Sequence, residues 1–114
     1  MPDRRQVPRY LFDGAAQLSQ TLDGPSANIT LQSISVTGCR TESAVAPAVG
    51  QKAVLTIDWQ GRAFRTEVEI VWKRPKGGAG LRFLSVDRES LAILRDICSS
   101  HPLEPLTKLP SEPG

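Results

Sequence analysis

The chain of 114 residues has very few of the side chains that catalytic sites and disulfide-stabilised folds require. It has one histidine, His101, and two cysteines, Cys39 and Cys98. A single histidine near the C-terminal end leaves no obvious general base, and no paired carboxylates, metal-ligand cluster or nucleophile–base pair is visible. Two cysteines do not make a disulfide framework, so we expect both to be small core residues. We therefore expect a protein that is not an enzyme and needs neither metal nor cofactor.

Long apolar runs and a strong net charge are also absent. No run approaches the length of a membrane span, and the N-terminus has no signal-peptide pattern. The formal net charge of +2 is too small to indicate a general nucleic-acid or membrane surface, and there is no helix-turn-helix pattern. We expect a cytoplasmic protein that neither binds DNA nor inserts into a membrane.

Alternation of apolar and polar residues predicts β-strands along most of the chain. Between Ala27 and Val36 the alternation changes parity near Gln32 and Ser33, which indicates a β-bulge. Trp59 and Trp72 each end an alternating run on its apolar side, so we predict that both are in the core. A basic turn is predicted between the last two strands, and its cations are interpreted as solvated: Lys73, Arg74 and Lys76.

Helical spacing occurs only near the C-terminal end. One apolar stripe is predicted there, with Asp87 as its N-cap, and comprises Leu91, Leu94, Ile97 and Cys98. The fold class is therefore all-β with one helix: a small antiparallel six-stranded β-barrel followed by a C-terminal amphipathic helix. We assign residues 11–100 to the barrel and helix. Residues 1–10 form an arginine segment that is expected to be mobile without ligand, and residues 101–114 a proline-rich tail.

Arginine dominates the cations, with ten of the 14 basic residues. The segment Arg5-Gln6-Val7-Pro8-Arg9 is an R-x-x-x-R motif preceded by Arg4, and about one such spacing is expected by chance in so arginine-rich a chain. A second and rarer motif, S-x-S-x-x-G, covers residues 33–38. Arginine forms bidentate hydrogen bonds with phosphates and with the edge of guanine, and its planar guanidinium stacks on bases. Serine offers a hydroxyl, and glycine allows a close backbone approach or a positive φ.

Together the two motifs, their order and the β-pattern after them resemble PilZ domains, over about residues 4–98. The resemblance implies a split β-barrel that binds the bacterial messenger cyclic di-GMP. It also implies a ligand site whose residues here would be Arg4, Arg5, Arg9, Ser33, Ser35 and Gly38. One position departs from the family motif, because Ser33 stands where the family has Asp or Asn. Loss of that acceptor would weaken binding by about 1–3 kcal/mol.

Two functions follow from this resemblance. The first is a cyclic di-GMP receptor module in second-messenger signalling that acts on a downstream protein partner, as a monomer or a ligand-linked dimer. The second is an adaptor of the PilZ type that has weakened or lost nucleotide binding and works through protein contacts. Ser33 favours the second function, and the retained Arg5, Arg9, Ser35 and Gly38 favour the first.

Overall fold

The computed structural model describes residues 8–21 and 24–103 of the chain. These residues form seven β-strands and one α-helix. The strands are β1 (Tyr10–Leu11), β2 (Ala15–Ser19), β3 (Ser26–Ile34), β4 (Gly38–Thr41), β5 (Lys52–Trp59), β6 (Arg62–Lys73) and β7 (Ala79–Phe83), and the helix is α1 (Arg88–Ser99). Most of the predicted arginine segment (residues 1–7) and most of the predicted tail (residues 104–114) lie outside the described part.

Six of the strands close into an antiparallel barrel. Their order around it is β3, β2, β5, β6, β7, β4, and the pairing of β4 with β3 completes the circuit. Strand β1 adds two residues beside the end of β3, where Tyr10 pairs with Ile34 and Leu11 with Ser33. The predicted fold, a six-stranded antiparallel barrel with one helix, is confirmed. Among the described residues, no helix is long and apolar enough to cross a membrane.

The core is built from the inward-facing residues of the strands and one side of α1. Leu55 and Ile57 of β5, Phe64 of β6 and Leu94 and Ile97 of α1 are fully buried. Burial of such a side chain stabilises the fold by about 1.5–3 kcal/mol, so alternation along a strand decides which face turns inward. Asp87 caps α1 as predicted, since its Oδ1 accepts a hydrogen bond of 2.8 Å from the Ser90 N–H. Cys39 and Cys98 are buried and not disulfide-bonded, as expected.

Two bulges change the parity of the strands that carry them. In β3, Leu31 pairs with Thr41 while Ser33 pairs with Arg40, so Gln32 is the additional residue and the predicted bulge is confirmed. In β6, Ile70 pairs with Leu81 while Trp72 pairs with Gly80.

The second bulge makes one core prediction wrong. Val71 is the additional residue, and the strand after it is turned over, so that Trp72 lies on the outside of the barrel. Trp59, on the other strand, is half-buried and packs against the core. Three successive apolar residues, Ile70, Val71 and Trp72, mark the place where simple alternation fails.

The N-terminal strand and the segment after α1 lie side by side. The Leu11 N–H donates to the Pro102 carbonyl at 2.8 Å, and Tyr10 forms a β-bridge with Leu103. The His101 ring stacks edge-on against Phe12, with 4.8 Å between ring centroids, and its Nδ1 lies 2.6 Å from the Ile97 carbonyl oxygen. Residues 101–103, which the sequence assigned to the tail, therefore contact the barrel.

Candidate functional site

One outer face of the barrel, on β4, β7 and β6, carries Gly38 of the second motif together with arginine and tryptophan side chains. The register places two rows of residues across these strands. Arg40, Gly80 and Trp72 form one row, and Gly38, Arg82 and Glu69 form the other. Residues between the two rows, such as Cys39 and Leu81, point into the core. We call this outer surface the arginine face.

A shallow recess of about 270 Å³ lies on the arginine face. Arg9, from the first motif, and Gly38, from the second, both line it, although 29 positions separate them in the sequence. The recess is lined by Arg9, Thr37, Gly38, Cys39, Arg40, Val71, Trp72, Gly80, Leu81 and Arg82. The two motifs are therefore brought to one place. The site residues Arg4 and Arg5 lie outside the described part of the chain.

Gly38 is required by a close approach between strands. A Cβ on this residue would lie 2.3 Å from the carbonyl oxygen of Leu81 and 3.3 Å from the Cα of Arg82. Its φ is not among the positive values of the chain, so of the two roles open to this glycine the close approach is the one present. The absence of a side chain also keeps the floor of the recess low.

Ser35 serves the turn that leads into β4. Its side chain is buried, and its Oγ accepts hydrogen bonds of 3.2 Å from the N–H groups of both Thr37 and Gly38. These bonds satisfy backbone donors at a tight turn, which is a common use of serine. In this structure the hydroxyl is thus engaged in shaping the edge of the recess.

Among the predicted site residues that the structure describes, Ser33 is the least accessible to a ligand. Its relative exposure is 0%, and within residues 8–21 and 24–103 its Oγ has no hydrogen-bond partner. Strand β1 covers it on one side, where it pairs with Leu11, and β4 on the other, where it pairs with Arg40. Ile34 pairs with Cys39 and points into the core, whereas Ser33 pairs with Arg40 and Leu11 and therefore lies on the outer side of the sheet, where its side chain is covered.

Three of the side chains that line the recess and belong to neither motif could contact a ligand through a guanidinium or an aromatic ring: Arg40, Trp72 and Arg82. Arg40 follows Gly38 by two positions and so shares its outward face, and Arg82 is the one exposed residue of β7. Trp72 reaches the recess only because of the bulge at Val71. Arg40 could have been identified from the sequence, because it lies two positions after Gly38 in the same strand. The positions of Arg82 and Trp72 depend on strand register, about which the motifs give no information.

The sequence model of the PilZ domain matches residues 3–100 of this chain. The chain belongs to the PilZ domain family. Among curated proteins, none matches it.

Solved structures show the same fold as this PilZ domain. The PilZ domain of YcgR from Escherichia coli with c-di-GMP has a TM-score of 0.67 at 16% identity, covering 97% of this chain and 98% of that one. The inhibitor of motility MotI/DgrA from Bacillus subtilis has a TM-score of 0.68 at 18% identity, covering 87% of this chain and 51% of that one. The chain thus spans about half the length of the Bacillus subtilis protein. Borreliella burgdorferi PlzA in complex with c-di-GMP has a TM-score of 0.64 at 12% identity, covering 84% of this chain and 41% of that one.

The arginines on the face of this PilZ domain differ in their partners. Arg82 forms an ion pair with Glu69 across the strands, and the Arg40 Nε donates to the Gln32 side-chain oxygen at 3.1 Å. Within the described residues, the Arg9 side chain forms neither a hydrogen bond nor an ion pair. Arg9, the motif arginine that the structure describes, therefore has N–H groups available to an anion.

Cys39 lies beneath the recess of the PilZ domain. Burial raises the pKa of its thiol to about 12, although the positive charge of Arg9 acts in the opposite direction. A thiol with so high a pKa is protonated at neutral pH and is not a nucleophile.

A larger recess of about 480 Å³ lies elsewhere on the barrel, between the β2–β3 connection and residues 44–47. It is lined by apolar and small uncharged residues, with no charged side chain among those described. A ligand with two phosphodiester anions would find no counter-charge there. The arginine face is consequently the stronger candidate site.

Proposed function

We propose that this PilZ domain is a receptor module for cyclic di-GMP in bacterial second-messenger signalling. One observation carries the proposal: Arg9 of the first motif and Gly38 of the second line the same recess, together with Arg40, Arg82 and Trp72. Similarity to PilZ structures that contain c-di-GMP supports it.

The chemistry of the recess suits a ligand of this kind. Cyclic di-GMP presents two phosphodiester anions and two guanine bases. Arg9 has N–H groups available for a phosphate or for the O6 and N7 atoms of guanine, and Arg4 and Arg5 would add to this clamp. Gly38 lets the ligand approach the backbone of β4.

We assign indirect roles to the two serines. Ser35 fixes the turn that presents Gly38, and Ser33 is buried next to the bulge at Gln32. Neither side chain is exposed in this structure, so the affinity is expected to depend on arginine more than in family members with Asp or Asn at position 33. The bound state is proposed to act on a downstream protein in the cytoplasm, as a monomer or as a dimer linked by ligand. Neither metal nor cofactor is required.

Isothermal titration of the full chain with cyclic di-GMP tests the proposal. We expect binding by the native protein and a loss of about 5- to 150-fold in Arg9→Ala, since one charge-assisted bidentate contact contributes about 1–3 kcal/mol. Arg65→Ala is the matched control, because Arg65 is an exposed arginine on β6 that bonds to Thr56 and does not line the recess. Absence of binding by the native protein at high micromolar ligand would overturn the proposal and leave the adaptor function.

A further inference from the structure

We propose that Arg74 is a further ligand-binding residue of this site, held in position by Trp72, and that its guanidinium stacks on a guanine base. The inference rests on the proposed function, since it concerns the same ligand. Arg74 belongs to the basic turn between β6 and β7, which the sequence interpreted as solvated. The structure gives two cations of the turn defined partners: the Lys73 Nζ donates to the Pro47 carbonyl at 3.0 Å, and Arg74 lies over an aromatic ring.

The first step of the argument is the position of the Trp72 ring. The bulge at Val71 puts Trp72 outside the barrel, opposite Gly80. A Cβ on Gly80 would lie 2.2 Å from the indole Nε1 and 2.6 and 2.8 Å from the two ring carbons bonded to it. Near-equal distances to three adjacent ring atoms place that point above the ring plane. The indole therefore lies flat on the backbone of Gly80, which only a residue without a side chain permits.

The second step is the cation over this ring. The guanidinium carbon of Arg74 lies 5.0 Å from the centroid of the Trp72 ring, within the range of a cation–π contact. The backbone of Arg74 is fixed as well, since its N–H donates to Gly78 at 3.0 Å and its carbonyl accepts from Gly77 at 3.1 Å. The Gly78 N–H in turn donates to Ser43 at 3.1 Å, which ties the turn to the barrel. Ring and turn together preorganise the guanidinium.

The third step concerns the hydrogen-bonding capacity of Arg74. Within the part of the chain that the structure describes, its guanidinium donates no hydrogen bond and forms no ion pair. Arg82, by contrast, is paired with Glu69. A guanidinium held by a ring rather than by an acceptor keeps all its N–H donors for a ligand. It is also planar and can extend a stack onto a purine.

The fourth step is location. Trp72 lines the recess that contains Arg9, and Arg74 lines an adjoining recess of about 380 Å³ beside Lys73. The contact between Trp72 and Arg74 therefore joins the two recesses. Cyclic di-GMP has two guanine bases, and a site that extends past Trp72 offers the second base a flat cation. Trp72 is then a positioning residue for Arg74.

Titration with cyclic di-GMP in a buffer of constant ionic strength tests this assignment. Arg74→Ala is expected to lower the affinity roughly tenfold, within the 1–3 kcal/mol range of a stacked base. Arg74→Lys should lose nearly as much, because it keeps the charge but not the planar fork. Lys76→Ala is the matched control: Lys76 is an exposed cation of the same turn, and its effect should stay below about twofold, as for a screened surface charge.

A double-mutant cycle tests the role of Trp72. If Trp72 acts through Arg74, Trp72→Ala and the double variant should each bind about as weakly as Arg74→Ala. Thermal melts confirm that the variants are folded. Additive losses would overturn the proposal that Trp72 acts through Arg74. If Arg74→Ala binds as Lys76→Ala does while the native protein binds the ligand, the assignment of Arg74 is overturned and the proposed function is not. A native protein that does not bind overturns both.

Discussion

Gly38 and Leu81 approach so closely that a Cβ on the glycine would lie 2.3 Å from the Leu81 carbonyl oxygen. This contact joins β4 to β7 and brings Arg40 and Arg82 onto the same outer surface. A residue first identified as a motif glycine is thus what allows the arginine face to form.

Gly38→Ala should destabilise the protein by about 1–3 kcal/mol, because backbone rather than a flexible side chain must move to make room. Urea unfolding measures this, with Gly61→Ala as a comparison. At Gly61 a Cβ would contact nothing within 4 Å, so its cost comes only from the φ of +80°. Equal stability of Gly38→Ala and the native protein would contradict the close approach.

Substitutions at Ser33 separate stability from ligand binding. Ser33→Ala removes a buried hydroxyl without a partner among the described residues, so the free energy of unfolding should stay within about 1 kcal/mol of native or rise. Ser33→Asp should lower it by about 1–3 kcal/mol at pH 7, because the carboxylate would be buried with only its cross-strand neighbour Arg40 to offset the loss of hydration. The loss should be smaller near pH 4, where the carboxyl can be protonated. An Asp variant that is fully stable and binds ligand more tightly would show that position 33 reaches the ligand.

Glu69 forms an ion pair with Arg82, and we expect it to compete with a ligand phosphate for this guanidinium. Glu69→Gln removes the carboxylate of this ion pair, so the affinity for cyclic di-GMP should rise by roughly two- to fivefold, in line with a partly exposed pair. Glu67→Gln removes the same charge from an exposed outward position of β6 whose side chain contacts no arginine in the described structure. Titration of both variants distinguishes release of Arg82 from a general change in charge. Equal affinities for the two variants would exclude the competition.

The Cys39 thiol gives the fold a dependence on alkaline pH. Burial raises its pKa from 9.0 to about 12, so the unfolded chain loses this proton at lower pH than the folded protein. The stabilising contribution is complete below pH 9 and is lost as the pH rises from 9 towards 12. At pH 10 the loss should be on the order of 1 kcal/mol. Urea unfolding at pH 8 and pH 10 measures it, and Cys39→Ala should reduce the difference; an unchanged difference would assign it to other groups.

The sequence allowed much of the fold to be predicted. Alternation indicated β5 and β6, the change of parity indicated the bulge at Gln32, and the spacing of apolar residues with Asp87 indicated α1. These features are local, since which side of a strand or helix is apolar can be read within a few residues. The prediction that Trp72 lies in the core was wrong because one additional residue, Val71, exchanges the inward and outward faces of the strand after it.

The candidate site could be predicted only in part. The motifs named Arg9 and Gly38, which the structure brings to one recess, and also Ser33 and Ser35, whose side chains it buries. They did not name Arg40, Arg82, Trp72 or Arg74. No local sequence pattern marks these four residues, because they come together only through the pairing of strands in the folded barrel.

By itself the sequence determined the longer strands, the helix, the bulge in β3 and the family to which the chain belongs, because these depend on side-chain order over short spans. The short strands β1 and β4 could not be predicted in this way. Only the tertiary structure decided which arginines share a surface, since Gly38 meets Arg82 and Gly80 meets Trp72 through the register of strands far apart in the chain. Register is set by barrel closure and by two bulges, and a shift of one residue would send each of these side chains to the other face.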